Sequence, residues 1–267
     1  MLPHMTTCVV RGSGDVGSAV AHILFTRGHR VLLHDSPCPA HLRRGMSFVD
    51  ALFGGTARLE RIVGKKARDA GDLAPMTRCH RAVPLFAGDL DEAIHGVGAT
   101  VVIDARMRKR ATPEPARDAG YRTIGLGPNF VAGGNVDIAI ETAWGDSLGK
   151  VITVGPTLKL AGEPRPIDGA GRERNVYARW AGEFRTSHCI GQKVRQGEVI
   201  AVLAERFITA PLAGCIRGLI HHGVRVEAGT KIVEIDPRAD PATCFGLGER
   251  PERIALGVLR AIENFVR

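Results

Sequence analysis

Apolar positions along the chain follow two periods. Between Thr6 and Gly127, short aliphatic and β-branched runs alternate with stretches of helical spacing. The runs are Thr7-Cys-Val-Val10, Val31-Leu-Leu33, Ala82-Val-Pro-Leu-Phe-Ala87, Ala99-Thr-Val-Val-Ile103 and Tyr121-Arg-Thr-Ile124. They are too short for helices, and the Ala99–Ile103 run is apolar on both faces, as buried parallel strands are. After the first run, Val16, Val20 and Ile23 recur every three to four residues, the stripe of an amphipathic helix. Asp89-Leu-Asp-Glu92 opens a second helix with a capping-box-like sequence, and Pro113 to Ala119 carries a weaker helical turn. Strands alternating with helices predict a parallel sheet whose ligands bind outside its carboxyl edge. Asp104, Arg106, Gly125 and Gly127 fall at that edge.

The period changes towards the C-terminus. Gly191-Gln-Lys-Val194-Arg-Gln-Gly197-Glu-Val-Ile200 is repeated as Gly223-Val-Arg-Val226-Glu-Ala-Gly229-Thr-Lys-Ile232. Each copy reads as glycine turn, short strand, glycine turn, strand. A unit this small cannot bury its apolar face alone, so the copies are expected to pack as two halves of a miniature β-sandwich. The pattern resembles the barrel-sandwich hybrid domain that carries biotin or lipoate. Those carriers display a modified lysine on the hairpin between the halves, and Ala201 to His222 contains no lysine. No biotin or lipoate attachment is therefore expected.

Glycines and an acid complete the first strand–helix–strand unit. Arg11-Gly12-Ser13-Gly14-Asp15-Val16-Gly17 follows the first strand, and Asp35 ends the second. This is the full order of a dinucleotide-binding unit. Gly12 makes the tight turn, Gly14 lets backbone approach a pyrophosphate, and Gly17 lets the helix pack on the strand. The helix N-terminus faces the phosphates, and Asp35 accepts from ribose hydroxyls and repels a 2′-phosphate. Two charges complicate the loop: Arg11 is a candidate phosphate contact, and Asp15 either caps the helix or hinders an anion.

These readings divide the chain into a Rossmann-like nucleotide-binding domain (1–150), a connecting segment (151–177), a barrel-sandwich module (178–236) and a C-terminal segment (237–267). The last helix, Arg253 to Phe265, carries Ile254, Leu256, Val258, Leu259 and Ile262, a stripe expected to pack on a neighbouring domain or a second subunit, so that a homo-oligomer is possible.

Composition narrows the function. With 267 residues and 44% apolar content, the chain is long enough for two modest cores. It has no apolar run near the ~18 residues of a membrane span. The sequence Met-Leu-Pro-His-Met5 lacks the basic and apolar regions of a signal peptide, so a cytoplasmic protein is expected. The net charge of +8 is carried by basic clumps at Arg43-Arg44, Arg58 to Arg68 and Arg106 to Arg110. Aromatic residues make up only 5%, which leaves few stacking partners for bases, so nucleic acid is not an expected partner. Six cysteines are scattered without metal-like spacing, and no metal site is expected.

Several segments together resemble one family. They are Cys38-Pro-Ala-His-Leu-Arg43-Arg44-Gly-Met-Ser47-Phe, Ile103-Asp104-Ala-Arg106-Met, Gly125-Leu-Gly127-Pro128-Asn-Phe130-Val-Ala132-Gly133, Val136-Asp137 to Glu141-Thr142, Gly145 to Gly149, Asp236-Pro237-Arg238, Cys244-Phe245 and Ala255-Leu-Gly257. The chain is similar along essentially its whole length to YqeB-type accessory proteins, which are associated with selenium-dependent molybdenum hydroxylases. The resemblance implies a role in maturing or supporting a xanthine-dehydrogenase-like enzyme, with that hydroxylase as protein partner. The bound cofactor it implies is a dinucleotide, either NAD or a molybdenum cofactor dinucleotide. Asn129 and Trp144 depart from the pattern.

Arg43, Arg44 and Arg106 are the candidate anion-binding cations, since the guanidinium fork suits phosphate and carboxylate. Asp104 positions Arg106, binds a ribose or a metal, or merely pairs with the neighbouring arginine. Asp137 and Glu141, four apart, share one face and form a candidate carboxylate pair or hard-cation site, with salt bridging to the arginines favoured. Cys244 is the candidate thiol if sulfur or selenium is handled, and His221-His222 reads as solvent-facing. No Ser-His-Asp order, HExxH or Gly-Lys-Ser/Thr phosphate loop occurs. Two functions stay open: a maturation factor, and an NAD-dependent oxidoreductase acting on a small anionic substrate. The lack of an evident proton-transfer group favours the first.

Overall fold

The computed structural model describes residues 5–108, 111–117, 120–160, 162 and 164–265. The first four residues, Lys109-Arg110 of the basic run and residues 118–119 of the expected helical turn lie outside the described residues, and of Phe265, the last residue of the expected helix, only the backbone is described.

The strand runs assemble into one nine-stranded, mainly parallel sheet. Its first six strands are β1 (Thr7–Arg11), β2 (Arg30–His34), β3 (Thr56–Leu59), β4 (Ile62–Lys66), β5 (Val83–Phe86) and β6 (Val101–Asp104). Next come β7 (Arg122–Leu126), a short β8 (Val131–Ala132), β9 (Ile138–Ile140) and β10 (Val151–Ile152). The order across the sheet is β10-β9-β7-β6-β1-β2-β5-β4-β3, and β8 pairs separately with β11 (Gly155–Pro156). Only the edge pairs β3–β4 and β9–β10 are antiparallel. The order reverses direction between β1 and β6, which lie side by side with Arg11 opposite Asp104.

Alternation along each strand sends side chains to two covered faces. Cys8, Val10, Leu33, Ile103 and Ile124 meet Val16, Val20 and Leu24 of α1 (Asp15–Thr26). Val9, Leu32, Phe86 and Val102 meet Leu73 of a short helix at Leu73–Cys79 and Ala93 and Ile94 of a helix at Leu90–Val97. The second of these starts as expected, with the Asp89 carboxylate accepting from the Glu92 N–H at 3.0 Å. The expected turn at 113–119 forms no helix among the described residues, because Pro113 and Pro115 remove backbone donors and the Ala116 N–H is drawn to Asn135 O. The C-terminal helix, α2 (Glu249–Phe265), supplies the missing cover instead. Its Ile254, Val258 and Ile262 join the core beside α1. The basic run Arg58 to Lys66 lies on the β3–β4 hairpin, where charge keeps the edge strand β3 from pairing with other chains.

The glycine repeats build two four-stranded antiparallel sheets packed face to face. Their strands are β12 (Asn175–Tyr177), β13 (Gly182–Arg185), β14 (Lys193–Val194), β15 (Val199–Leu203), β16 (Arg206–Thr209), β17 (Gly214–Leu219), β18 (Arg225–Val226) and β19 (Lys231–Asp236). The orders are β12-β19-β17-β14 and β16-β15-β13-β18. Each repeat gives one strand to each sheet, β14 and β15 from the first and β19 and β18 from the second. Gly191, Gly197, Gly223 and Gly229 all sit at φ between +80° and +84°, so the two copies share one backbone geometry. Phe184, Val194, Ile200, Val226 and Ile232 fill the space between the sheets. The β15–β16 hairpin turns at Ala204 and Glu205, both left-handed at φ +50° and +58°.

The segment after β2 fastens this small unit to the large sheet. Leu219 donates its N–H to Leu42 O at 2.9 Å, and Arg44 Nε donates to Leu219 O at 2.9 Å. Phe53 stacks on His221 with ring centroids 3.9 Å apart. His221 is therefore an interface ring rather than the solvent-facing residue expected, while His222 is exposed and accepts from the Thr186 N–H.

Candidate functional site

The glycine loop between β1 and α1 has the geometry its spacing requires. Gly12 sits at φ +106°, and a Cβ there would stand 2.9 Å from Ala105 O, so the loops after β1 and β6 touch through backbone. A Cβ on Gly17 would overlap Gly12 O. One on Gly14 would press on the His41 ring, 2.9 Å from Nδ1. The surface that Gly14 was expected to offer a pyrophosphate is thus faced by a histidine.

Asp35 is the second departure. The Ser13 N–H and Oγ donate to its Oδ2 at 2.6 and 2.8 Å, and His41 Nε2 stands 2.7 Å from the same oxygen. The Ser36 N–H takes Oδ1 at 2.8 Å. Burial raises the carboxyl, but the His41 hydrogen bond and charge and the Ser13 hydrogen bonds outweigh it and hold its pKa at about 2. The expected free ribose acceptor is instead a pin that ties the loop to the segment after β2. An ionised carboxylate only accepts, so His41 Nε2 carries a proton and donates it to Asp35.

Asp15 occupies the start of α1. Its Oδ1 accepts from the Val16 N–H at 3.0 Å and its Oδ2 from Arg43 Nη1 at 3.0 Å. Arg43 also forks onto Glu234 at 3.0 and 3.3 Å. Glu234, whose side chain is 1% exposed, further binds Lys231 Nζ at 2.6 Å and Arg174. Burial pushes the Glu234 carboxyl up, yet Arg43, Lys231 and Arg174 together hold it well below the usual range. Between the loop and this network lies a cleft of about 260 Å³, closed on one side by Arg250 of α2.

The expected trio of arginines does not converge. Arg43 bridges Asp15 and Glu234, whereas Arg44 turns away to Asp50 at 3.0 Å. Arg106 forks onto Asp104 at 3.0 and 3.1 Å. Arg11 lies 3.9 Å from Asp104, and both Arg11 and Arg106 reach Glu114, at 3.6 and 3.4 Å. These cations are neutralised by neighbouring acids because the ends of β1 and β6 are adjacent.

Other sequence candidates are structural in this fold. Gly125 lies under the Phe130 ring, and Gly127, at φ +99°, abuts Thr142 Oγ1. Asp137 bonds Thr123 at 2.8 and 2.9 Å, while Glu141 accepts from the N–H groups of Thr142, Ala143 and Leu158, so they do not act as a pair. Cys244 is fully buried and burial raises its pKa, which suppresses the thiolate a nucleophile needs. Asn129 adopts φ +75°, a conformation asparagine tolerates. Among the described residues no three His, Cys, Asp or Glu side chains are placed to hold a metal ion, and no helix is long and apolar enough to cross a membrane.

His41, Lys231, Glu234 and Arg250 escaped the sequence reading. Two signals were present: Glu234 is a lone acid inside the buried run Ile232 to Ile235, and Arg250 is a cation in the first turn of a helix, where the dipole disfavours it.

No protein-family profile matches the chain. Over 254 residues, 95% of its length, it is 33% identical to the uncharacterised protein YqeB of Escherichia coli K12. The chain is a homologue of YqeB. It spans 47% of that relative, about half its length. Among solved structures, an aspartoacylase family protein of Mesorhizobium loti aligns over 87% of this chain and 85% of its own, at 7% identity and a TM-score of 0.23. The product-bound ectoine utilization protein EutE (DoeB) of Ruegeria pomeroyi aligns over 86% and 85%, at 11% identity and a TM-score of 0.25. Scores this low carry no argument about fold or activity.

Proposed function

We propose that the chain is an accessory or maturation factor for a xanthine-dehydrogenase-like molybdenum hydroxylase, and that it holds a dinucleotide or nucleotide-containing molybdenum cofactor in the cleft. The large sheet is then a Rossmann-like domain and the small unit a biotinyl/lipoyl-like barrel-sandwich hybrid. The observation that carries this reading is the cleft's position. It opens beside Gly14 and Met107, just past the carboxyl ends of β1 and β6, where the strand order reverses and α/β sheets bind ligands. The homology to YqeB along 95% of the chain supports a shared role with that protein.

The loop suits such a group only in part. Asp15 stands at the start of α1, so a pyrophosphate in the usual pose would meet a carboxylate, and Asp35 already holds three donors on one oxygen. The ligand therefore engages the wall of the cleft opposite the helix. The small unit forms part of that wall and offers a body for docking on the hydroxylase. At the tip of its β15–β16 hairpin stand Ala204 and Glu205 rather than a lysine. Deleting the protein from its host should leave the hydroxylase expressed and folded but poorly active and short of cofactor. Normal specific activity and cofactor content in the deletion strain would overturn the proposal.

A second reading, an NAD-dependent oxidoreductase on a small anionic substrate, gains one specific observation. His41, oriented by Asp35 at 2.7 Å, lines the cleft as a positioned proton-transfer group. Turnover of NAD by the purified protein with a 2-hydroxy or 2-oxo acid would favour it.

A further inference from the structure

Charge in the cleft does not balance. Its lining carries Arg43, Lys231 and Arg250 against the carboxylates of Asp15 and Glu234, three cations against two anions, and Arg174 backs Glu234 from outside the lining. Glu141, whose field also reaches Arg250, is committed to three backbone N–H groups. Arg43 and Arg174 are spent on Glu234. Lys231 keeps two of its three donors beyond its bond to Glu234. Arg250 spends its Nε on Thr142 O at 2.8 Å, and both terminal nitrogens are without a hydrogen-bond partner among the described residues.

Both cations are held against opposing forces. Burial lowers the pKa of Lys231 despite Glu234, and burial lowers that of Arg250 despite Asp15. Arg250 also sits in the first turn of α2, where the helix dipole opposes a positive charge. An anion in the cleft would relieve all three costs. Asp15 denies that anion the N–H groups of α1 and leaves the opposite wall as the place for it. The 260 Å³ volume lies below the ~300–1,000 Å³ of drug-sized sites, so it takes a small molecule or one end of a larger one.

We infer that Lys231 and Arg250 form a phosphate subsite, so that the phosphates of the ligand are held by the small unit and the C-terminal helix rather than by the glycine loop. This rests on the reading that a nucleotide-containing ligand occupies the cleft. A fork and an ammonium lining one cleft, both with unspent donors, fit a phosphoryl group, and a monoanionic carboxylate satisfies fewer of those donors.

Calorimetric titration of the full chain with inorganic pyrophosphate tests it, with succinate as the carboxylate control. The wild type is expected to bind pyrophosphate at least tenfold more tightly than succinate. Arg250→Gln and Lys231→Met are each expected to weaken pyrophosphate by about tenfold or more, the effect of one charge-assisted contact. Arg68→Gln, an exposed charge outside the lining of the cleft, is expected to leave it unchanged. Should Arg250→Gln fail to fold by its melting curve, Arg250→Lys keeps the charge but loses the fork and should show an intermediate affinity. Equal affinity in wild type and both neutral variants, or succinate binding as tight as pyrophosphate, overturns the subsite. Dinucleotide binding that survives both substitutions would remove the subsite and keep the proposed function. Pyrophosphate binding that depends on both residues, with no dinucleotide binding, would do the reverse.

Discussion

Asp35 gathers donors from Ser13 and His41 on one carboxylate oxygen, and the stability it contributes depends on pH. Its folded pKa of about 2 lies below the ~3.9 of an unfolded aspartate, so the contribution is complete above about pH 4 and is lost as pH falls towards 2. Asp35→Asn removes the charge at every pH. The variant should unfold with ~2 kcal/mol less free energy at pH 7, and the gap to wild type should close between pH 4 and 2 in urea titrations. A gap of constant size over that range would contradict the assignment. The roles of Gly12 and Gly17 were legible because a tight turn and a close helix impose local steric demands. The engagement of Asp35 was not, because His41 reaches it from an irregular segment whose path only the fold determines.

Glycines show the same contrast between elements. Gly257 lies within α2, where Ala is favoured by about 1 kcal/mol on helix propensity alone. Its Cβ would overlap Gly149 O and stand 3.0 Å from Ile140 Cγ2, so crowding against backbone that cannot yield should exceed the propensity gain. Gly257→Ala is expected to lower the melting temperature, whereas propensity alone forecasts a rise. Gly223→Ala meets no atom within 4 Å and should lose only the ~1 kcal/mol of a left-handed backbone. A loss at Gly257 smaller than at Gly223 would sink the packing account. The repeat at 191–200 and 223–232 was legible because its anchor glycines and apolar residues are evenly spaced. The placement of α2 was not, since its apolar stripe fits any uncovered face and α1 with β9 and β10 happen to provide one.

Across the whole molecule, the proposed function rests on the cleft between the glycine loop and the small unit. The parallel strands and their carboxyl edge followed from apolar periodicity, but the cleft is closed by residues 231, 234 and 250, far in sequence from the glycine loop. The buried network Asp15–Arg43–Glu234–Lys231 joins the loop to the small unit, and pairing across such a distance leaves no periodic signal in either segment. The proposed maturation role requires the cleft to carry a phosphate-bearing nucleotide. Native mass spectrometry of the freshly purified chain, followed by identification of the molecule released on denaturation, reads this directly. The account predicts a bound nucleotide or nucleotide-containing cofactor in a one-to-one ratio that is lost in Arg250→Gln. A released molecule without phosphate would contradict it, and a nucleotide retained equally by Arg250→Gln would contradict the phosphate subsite alone.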